Sequence, residues 1–430
     1  MRKSVFSAAL AALASACSDP ASVLPDDAEI RLLNPIAWPG QGAQLQAGVF
    51  AESDETPVVA LDGNPVAVTR SDDSTFAVQL PDSSGGFQLT LSYRGGRRSG
   101  TVRVAGYVSH SAAPALSGWA LPITPGAPVV VASSNGAVIR LDLRTGQAVT
   151  LPIAVNEQCI LSPGPSYRSG VAITSRGSSC TGSLAWQVDP GAGLLDSGPG
   201  GGNYLRAETA PGVWFDAGAH HVRFAPAPAG QPALGYQLEE VERLVLSPSG
   251  ALAAPLLQLS VGADVPVFTA TGSIAFRIPV RQMQGAAFWA GDTLFAAGTV
   301  NYSVQHFLAV LPDGRIARRD SFNIPQILDL VLDPASSLLF ALAYTEDGSR
   351  WAPIIHVVDR ATMGRVAVLR PPRSADCQGF CNQVTLGVDR AANRLYALGI
   401  RGFLSTPSEP STIWRFDLVP AQQQPVVLGN

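Results

Sequence analysis

Among side chains able to do covalent or metal chemistry, the cysteines come first, and there are five, Cys17, Cys159, Cys180, Cys377 and Cys381. A thiolate can act as nucleophile, metal ligand or half of a disulfide, and spacing separates these uses. No C-x-x-C occurs and no His stands at ligand spacing from a Cys, so a zinc site is not expected. In "CQGFC" Gly379 lets the chain turn back between Cys377 and Cys381, which suits covalent pairing. His220 and His221 are adjacent in an expected strand and point to opposite faces, while His110, His306 and His356 are scattered. There is no G-x-S-x-G, H-E-x-x-H, EF-hand loop or G-x-G-x-x-G. The glycine-rich "SGPGGGN", Ser197 to Asn203, has no lysine and no following helix to cradle a phosphate. Neither a metal nor another cofactor is expected.

The N-terminus decides what Cys17 is for. "MRKSVFSAALAALASAC" sets Arg2 and Lys3 ahead of a 13-residue stretch, Ser4 to Ala16, whereas a membrane-spanning helix needs roughly 20 apolar residues. Residues 1–16 therefore read as an export signal. Ala14-Ser15-Ala16 would serve an ordinary signal peptidase, but with Cys17 next the segment resembles the lipobox of bacterial lipoproteins. That resemblance implies cleavage before Cys17, its acylation, and an outer-membrane anchor on a polar tether, residues 17–29. Without lipid on Cys17 the protein would be secreted. If Cys17 is acylated, four cysteines remain for two disulfides in an oxidising compartment. Of three connectivities, Cys159 with Cys180 and Cys377 with Cys381 is the simplest.

The chain from Cys17 onward has 27 Lys plus Arg against 33 Asp plus Glu, a formal charge of −6. Nucleic acid is accordingly not an expected partner. Lys3 is the only lysine. Walker-A ATPases, protein kinases, pyridoxal-phosphate enzymes and Schiff-base aldolases need a lysine at the reacting centre, so those classes are excluded.

The elements that carry these residues are strands. Forty-two glycines, thirty-four prolines and a charged fraction of 14% fit short strands and tight turns, and no long segment has a 3.6-residue apolar period. The expected fold class is all-β. From Ile30 to Tyr107, "VVALDGNPVAV" reads as a hairpin about Asp62 and Gly63, and "TFAVQL" and "FQLTLSY" alternate apolar and polar. The segment predicts a small sandwich over 30–107. Its order, "IRLLNP", "LDG", "VQLPD", "GTVRVAGY", resembles bacterial Ig-like domains of the IPT/TIG kind, which implies a spacer or adhesion module.

After a linker, 108–118, one phrase recurs. "LDLVLDPASSLLFALAY" aligns on "TLGVDRAANRLYALGI" with Asp333 against Asp389, and "RLVLSPSGALAA" follows with Ser247 at that place. Further strands follow in "VIRLDLRTGQAVTLPI", "SLAWQVDPGAGLL", "IIHVVDRATMGRVAVLRP" and "TIWRFDLVPAQQQPVVLG", with Asp142, Asp189, Asp359 and Asp417 at the turn. Units begin near Trp119, Gln158, Tyr204, Arg243, Gly285, Leu328 and Gln383, so that 119–430 holds seven of about 45 residues each, the length of a four-stranded propeller blade. Such a sheet has two apolar faces and must stack on neighbours; a ring of seven buries every face. The prediction is a seven-bladed β-propeller, with six to eight blades compatible. The "DP" or "SPSG" turn, "LYAL" strand and "VVD-x-x-T" strand and turn resemble the YVTN or YncE-like propeller family. The resemblance implies an exported or cell-surface propeller and supplies no catalytic residue.

Asp142 and Asp359 stand three before Thr145 and Thr362, where an Asp caps turn amides. Asp333 and Asp389 also read as turn formers. In the same register Arg243, Asp329 and Thr385 are equivalent and open otherwise apolar innermost strands. They are the candidate ligand-binding groups at the channel mouth, or polar groups satisfied between blades. Two functions stand: a lipid-anchored binding or scaffolding protein whose partner is a protein, a glycan or a small polar ligand, and a metal-dependent propeller enzyme of the lactonase or lyase type.

Overall fold

A computed structural model describes Leu24 and residues 28–429 apart from short connections, of which the longer are 177–183, 226–233, 320–326, 372–380, 402–409 and 419–425. Side chains are described least in the second and third blades. The chain forms two compact units, Tyr107–Leu418 and one made from both remaining parts, residues up to Gly106 together with Val419–Asn430.

The first unit is built from two five-stranded sheets. The hairpin at Asp62 and Gly63 forms as the sequence implies: Leu61 pairs with Asn64, and both turn residues have positive φ, 48° and 82°. The alternating residues Phe76, Val78, Leu80, Leu89, Leu91 and Tyr93 share one buried core. Phe50, on a short 3-10 turn, closes that core edge-on to Phe76 and Tyr93. The last strand of the chain, Val426–Val427, lies here and not in a blade: it pairs with Arg31–Leu32 and edges the first sheet. Leu428 enters the core, and the Leu428 and Ser99 amides donate to Ile30 and Gly429 carbonyls at 3.0 and 2.9 Å.

The second unit is a seven-bladed β-propeller. Seven four-stranded sheets succeed one another, with first strands Leu121–Pro122, Ile160–Pro165, Leu205–Ala210, Val241–Leu246, Gln282–Ala290, Ile327–Leu332 and Cys381–Asp389. These first strands touch their counterparts in neighbouring sheets, which places them innermost. Apolar cores lie between blades: one joins Phe288, Phe307 and Ala309 of blade five to Leu339, Ala341 and Val358 of blade six. Another joins Tyr396 and Leu398 of blade seven to Val130 and Leu141 of blade one. Each buried Leu or Phe there contributes about 1.5–3 kcal/mol, available only when the neighbour is in place.

The segment read as a linker is a strand. Gly106–Ala113 is the fourth and outermost strand of blade seven, beside Ser411–Asp417. Arg415 Nη2 donates to Ser111 Oγ at 3.2 Å and Tyr107 packs edge-on to Phe416. The ring is thus closed by chain that precedes the first blade, and 119–430 is not the extent of the propeller.

The turns between first and second strands are tight in blades four to seven, and those between third and fourth strands in blades four to six. Aspartate and serine side chains hold them, as expected. The Thr362 amide and hydroxyl donate to Asp359 Oδ1 at 2.8 and 3.1 Å, and the Arg144 amide to Asp142 Oδ1 at 2.9 Å. In the corresponding place blade one has Gly146, with φ of 74°, and blade six has Met363, with φ of 56° and its side chain buried in the interblade core. The strands that flank the longer intervals of these blades, Leu252–Leu257, Ile316–Arg319, Arg365–Leu369 and Arg394–Arg401, end at the opposite edge of their sheets from these turns.

Candidate functional site

The three candidate positions fall at one place in the blade. Arg243 pairs with Leu256, Asp329 with Leu342 and Thr385 with Leu398, each on an innermost strand and thirteen residues from its partner. The structure describes the Arg243 backbone and not its side chain. The other two are buried, at 7% and 6% exposure, and both reach forward to the next blade. Asp329 Oδ2 accepts the Leu386 amide of blade seven at 2.7 Å while Oδ1 accepts the neighbouring Leu330 amide at 2.9 Å. Thr385 Oγ1 donates to the Ala120 carbonyl ahead of blade one at 2.9 Å. A buried amide or carbonyl on an innermost strand needs a partner, and a short polar side chain on the preceding blade supplies it.

The same joining recurs elsewhere. Trp289 Nε1 donates to the Val245 carbonyl of blade four at 3.2 Å, and Thr209 Oγ1 to the Ala270 carbonyl of blade four at 2.8 Å. At the turn after the innermost strand, Asp333 of blade six pairs with Arg390 of blade seven, and Asp389 of blade seven with Arg144 of blade one. The turn aspartates therefore do more than shape turns. Hydrogen bonding from Arg144, outweighing burial, holds the Asp142 carboxyl below the usual carboxylate range. At Asp359, burial works upward but is offset by donation from Ser337 and Thr362, and the net direction is down.

His356 is the one buried histidine among the described residues, on the third strand of blade six opposite Ala341 and Val368. Burial first, then the Arg365 and Arg370 guanidinium groups, push its pKa down to about 4 from an ordinary value of about 6.5. Since the unfolded chain takes up this proton more readily, stability is fully present above about pH 6.5 and is lost as pH falls towards 4, by up to about 3 kcal/mol. Urea titrations across that window are expected to show this loss, and His356→Leu to remove most of it. An unchanged slope in His356→Leu would mean that carboxylates alone set the acid limit.

Among the described residues no group of three His, Cys, Asp or Glu is placed to hold a metal ion, and no helix is long and apolar enough to cross a membrane. Cys17, Cys159, Cys180 and Cys377 lie outside the described residues, as does the Cys381 side chain. Cys381 opens the innermost strand of blade seven. A cavity of about 350 Å³ in the first unit is lined by Leu61, Val66, Leu80, Pro81 and Phe87, with Asp62 and Gln79 among its polar groups.

No protein family matches the chain and no curated protein does either. Solved structures similar to it include a crystal structure of a mitotic checkpoint complex, 14% identical with a TM-score of 0.45, covering 73% of this chain and 94% of that one. Another is dihydro-heme d1 dehydrogenase NirN in complex with DHE, 12% identical with a TM-score of 0.45, covering 95% of this chain and 74% of that one. At such values the propeller rests on the chain's own seven sheets.

The sequence pointed to Asp329 and Thr385 but not to what they hold, since the partners are main-chain groups. It also left Arg390 unremarked. Arg390 directly follows the turn residue Asp389 in sequence, but its partner Asp333 lies on the neighbouring blade.

Proposed function

We propose that the chain is an exported, lipid-anchored β-propeller that acts as a binding or scaffolding protein at the bacterial cell envelope, with the first unit as an Ig-like spacer. The observation that carries this reading is how the innermost polar side chains are used: Asp329 and Thr385 join blades. A ring so tied is a rigid platform, and rigid platforms present their ligands on longer connections. Here the strands that flank those connections end at one edge of the blades, and protein, glycan or small polar ligands are bound there. Disulfides Cys159–Cys180 and Cys377–Cys381 pin the chain covalently.

Two measurements test the reading. Mass spectrometry of protein from the native envelope is expected to give Cys17 as an acylated N-terminus; an unmodified N-terminus overturns the anchor. Asp329→Ala is expected to cost about 2–3 kcal/mol in urea unfolding, because it strands the buried Leu386 amide. Unchanged stability with loss of a screened ligand would instead make the channel mouth the binding site.

A further inference from the structure

The cavity of the first unit has a cause in the topology. Asn64–Val66 edges the second sheet and Val68–Asp72 edges the first, so at Ala67 the chain steps from one sheet to the other. The Ala67 carbonyl stays tied, accepting the Gln79 amide at 3.1 Å. With an edge strand on either side, the interior between the sheets opens to solvent here, and the floor of the cavity is the core itself. Leu61 and Leu80 are buried, while Val66 and Phe87 pack half-buried against that core. The volume of about 350 Å³ falls within the range of small-molecule sites, which join an apolar lining to a few polar groups. Here the fixed charge is negative. Asp62 Oδ1 accepts the Gln88 amide at 2.7 Å, and the Asp62 amide donates to the Gln88 carbonyl at 2.9 Å. The carboxylate is thereby held in place, and among the described residues its Oδ2 has no partner. Asp82 lies beside the same rim: its Oδ1 comes within 2.8 Å of where a side chain on Gly40 would begin, and the Gly40 carbonyl accepts Gln79 Nε2 at 2.7 Å. No arginine or histidine lines the cavity.

We propose that this cavity binds a small molecule with an apolar body of up to about two rings and an ammonium group, the body resting on Leu61, Leu80 and Phe87 and the ammonium at Asp62. A dry cavity of about 150 Å³ takes benzene, and the volume here is more than twice that. An apolar floor rewards the rings, and a carboxylate already fixed by the backbone needs little ordering to meet a cation. An anion of the same shape would meet like charge instead. A spacer needs no such site, so the first unit gains a binding role of its own, independent of the lipid anchor.

The test is equilibrium dialysis of the full-length Cys17→Ser chain, which carries no acyl group, against tryptamine and against indole-3-acetate, an anion with the same ring system. Tryptamine is expected to bind saturably with a Kd of about 1 mM or tighter, and indole-3-acetate at least about fivefold more weakly. Asp62→Asn keeps an oxygen for the Gln88 amide and suits the positive φ of 48°, since Asn favours that region. It is expected to weaken tryptamine about fivefold and to remove the preference over indole-3-acetate. Ala67→Trp, at an exposed position on the cavity wall, is expected to fill the space and abolish binding of both. Asp73→Asn, just beyond the far end of Val68–Asp72, is expected to leave binding unchanged. Circular dichroism identifies any variant that unfolds, and the other then carries the test. No saturable binding of tryptamine at about ten times that concentration overturns the proposal, and so does wild-type affinity in Ala67→Trp or in Asp62→Asn. Equal binding of indole-3-acetate overturns it too, by removing the cation from the ligand class.

Discussion

Asp333→Ala is expected to destabilise the propeller by about 3 kcal/mol, the low end of the range for breaking a buried ion pair. The Asp333 carboxylate is wholly buried, pairs with Arg390 across the blade boundary and accepts the Ser336 hydroxyl at 2.5 Å. Arg390 is partly sheltered, at 27% side-chain exposure, and burial alone pushes its pKa down. Removing Asp333 leaves that guanidinium without its carboxylate and frees the turn as well. Asp333→Asn keeps the turn geometry and should cost less, about 1–2 kcal/mol. Because both residues sit in one network, a double-mutant cycle with Arg390→Ala is expected to show coupling of at least about 1 kcal/mol. Additive losses in urea unfolding would mean that the two side chains act separately.

Ending the chain after Pro425 is expected to have the larger effect. It removes Leu428, 3% exposed, from the core of the first unit, a loss of about 2–5 kcal/mol by analogy with buried Leu truncations. It also removes the backbone partners of Arg31, Leu32, Ile30 and Ser99, each worth about 0.5–1.5 kcal/mol. A total of about 4–11 kcal/mol is comparable to the whole stability of a small domain. Limited proteolysis followed by mass spectrometry should find new cleavages within 30–104 while the blades resist. Leu428→Ala separates side chain from strand and is expected to cost about 3 kcal/mol. If the truncated protein digests like the full chain, the last five residues are dispensable to the first unit.

The blades were legible because their signals are local. Period-two alternation and Asp, Ser or Gly turns recur within each unit, so that unit starts at Gln158, Tyr204, Leu328 and Gln383 lie within two residues of observed innermost strands. What escaped has distant partners. Gly106–Ala113 alternates as any edge strand does, and only residues such as Arg415, 304 positions beyond Ser111, show that it belongs to a blade. "PVVLG" at the C-terminus would serve a blade or a sandwich equally, and its pairing with Arg31–Leu32 is invisible without the fold. At the candidate site the choice of Asp329 and Thr385 came from register, while the Leu386 amide and the Ala120 carbonyl that they bind carry no side-chain signature.

The first unit is interrupted: its early strands end at Val104, and its last strand, Val426–Val427, follows only after Tyr107–Leu418. Ribosomes add about 5–20 residues per second, so the intervening stretch takes about 15–60 s to make. Throughout that interval the edge at Arg31–Leu32 lacks its partner and a core position awaits Leu428. A nascent chain with an open strand edge is an aggregation hazard, so this order of synthesis makes the half-built first unit a natural client for a holding chaperone.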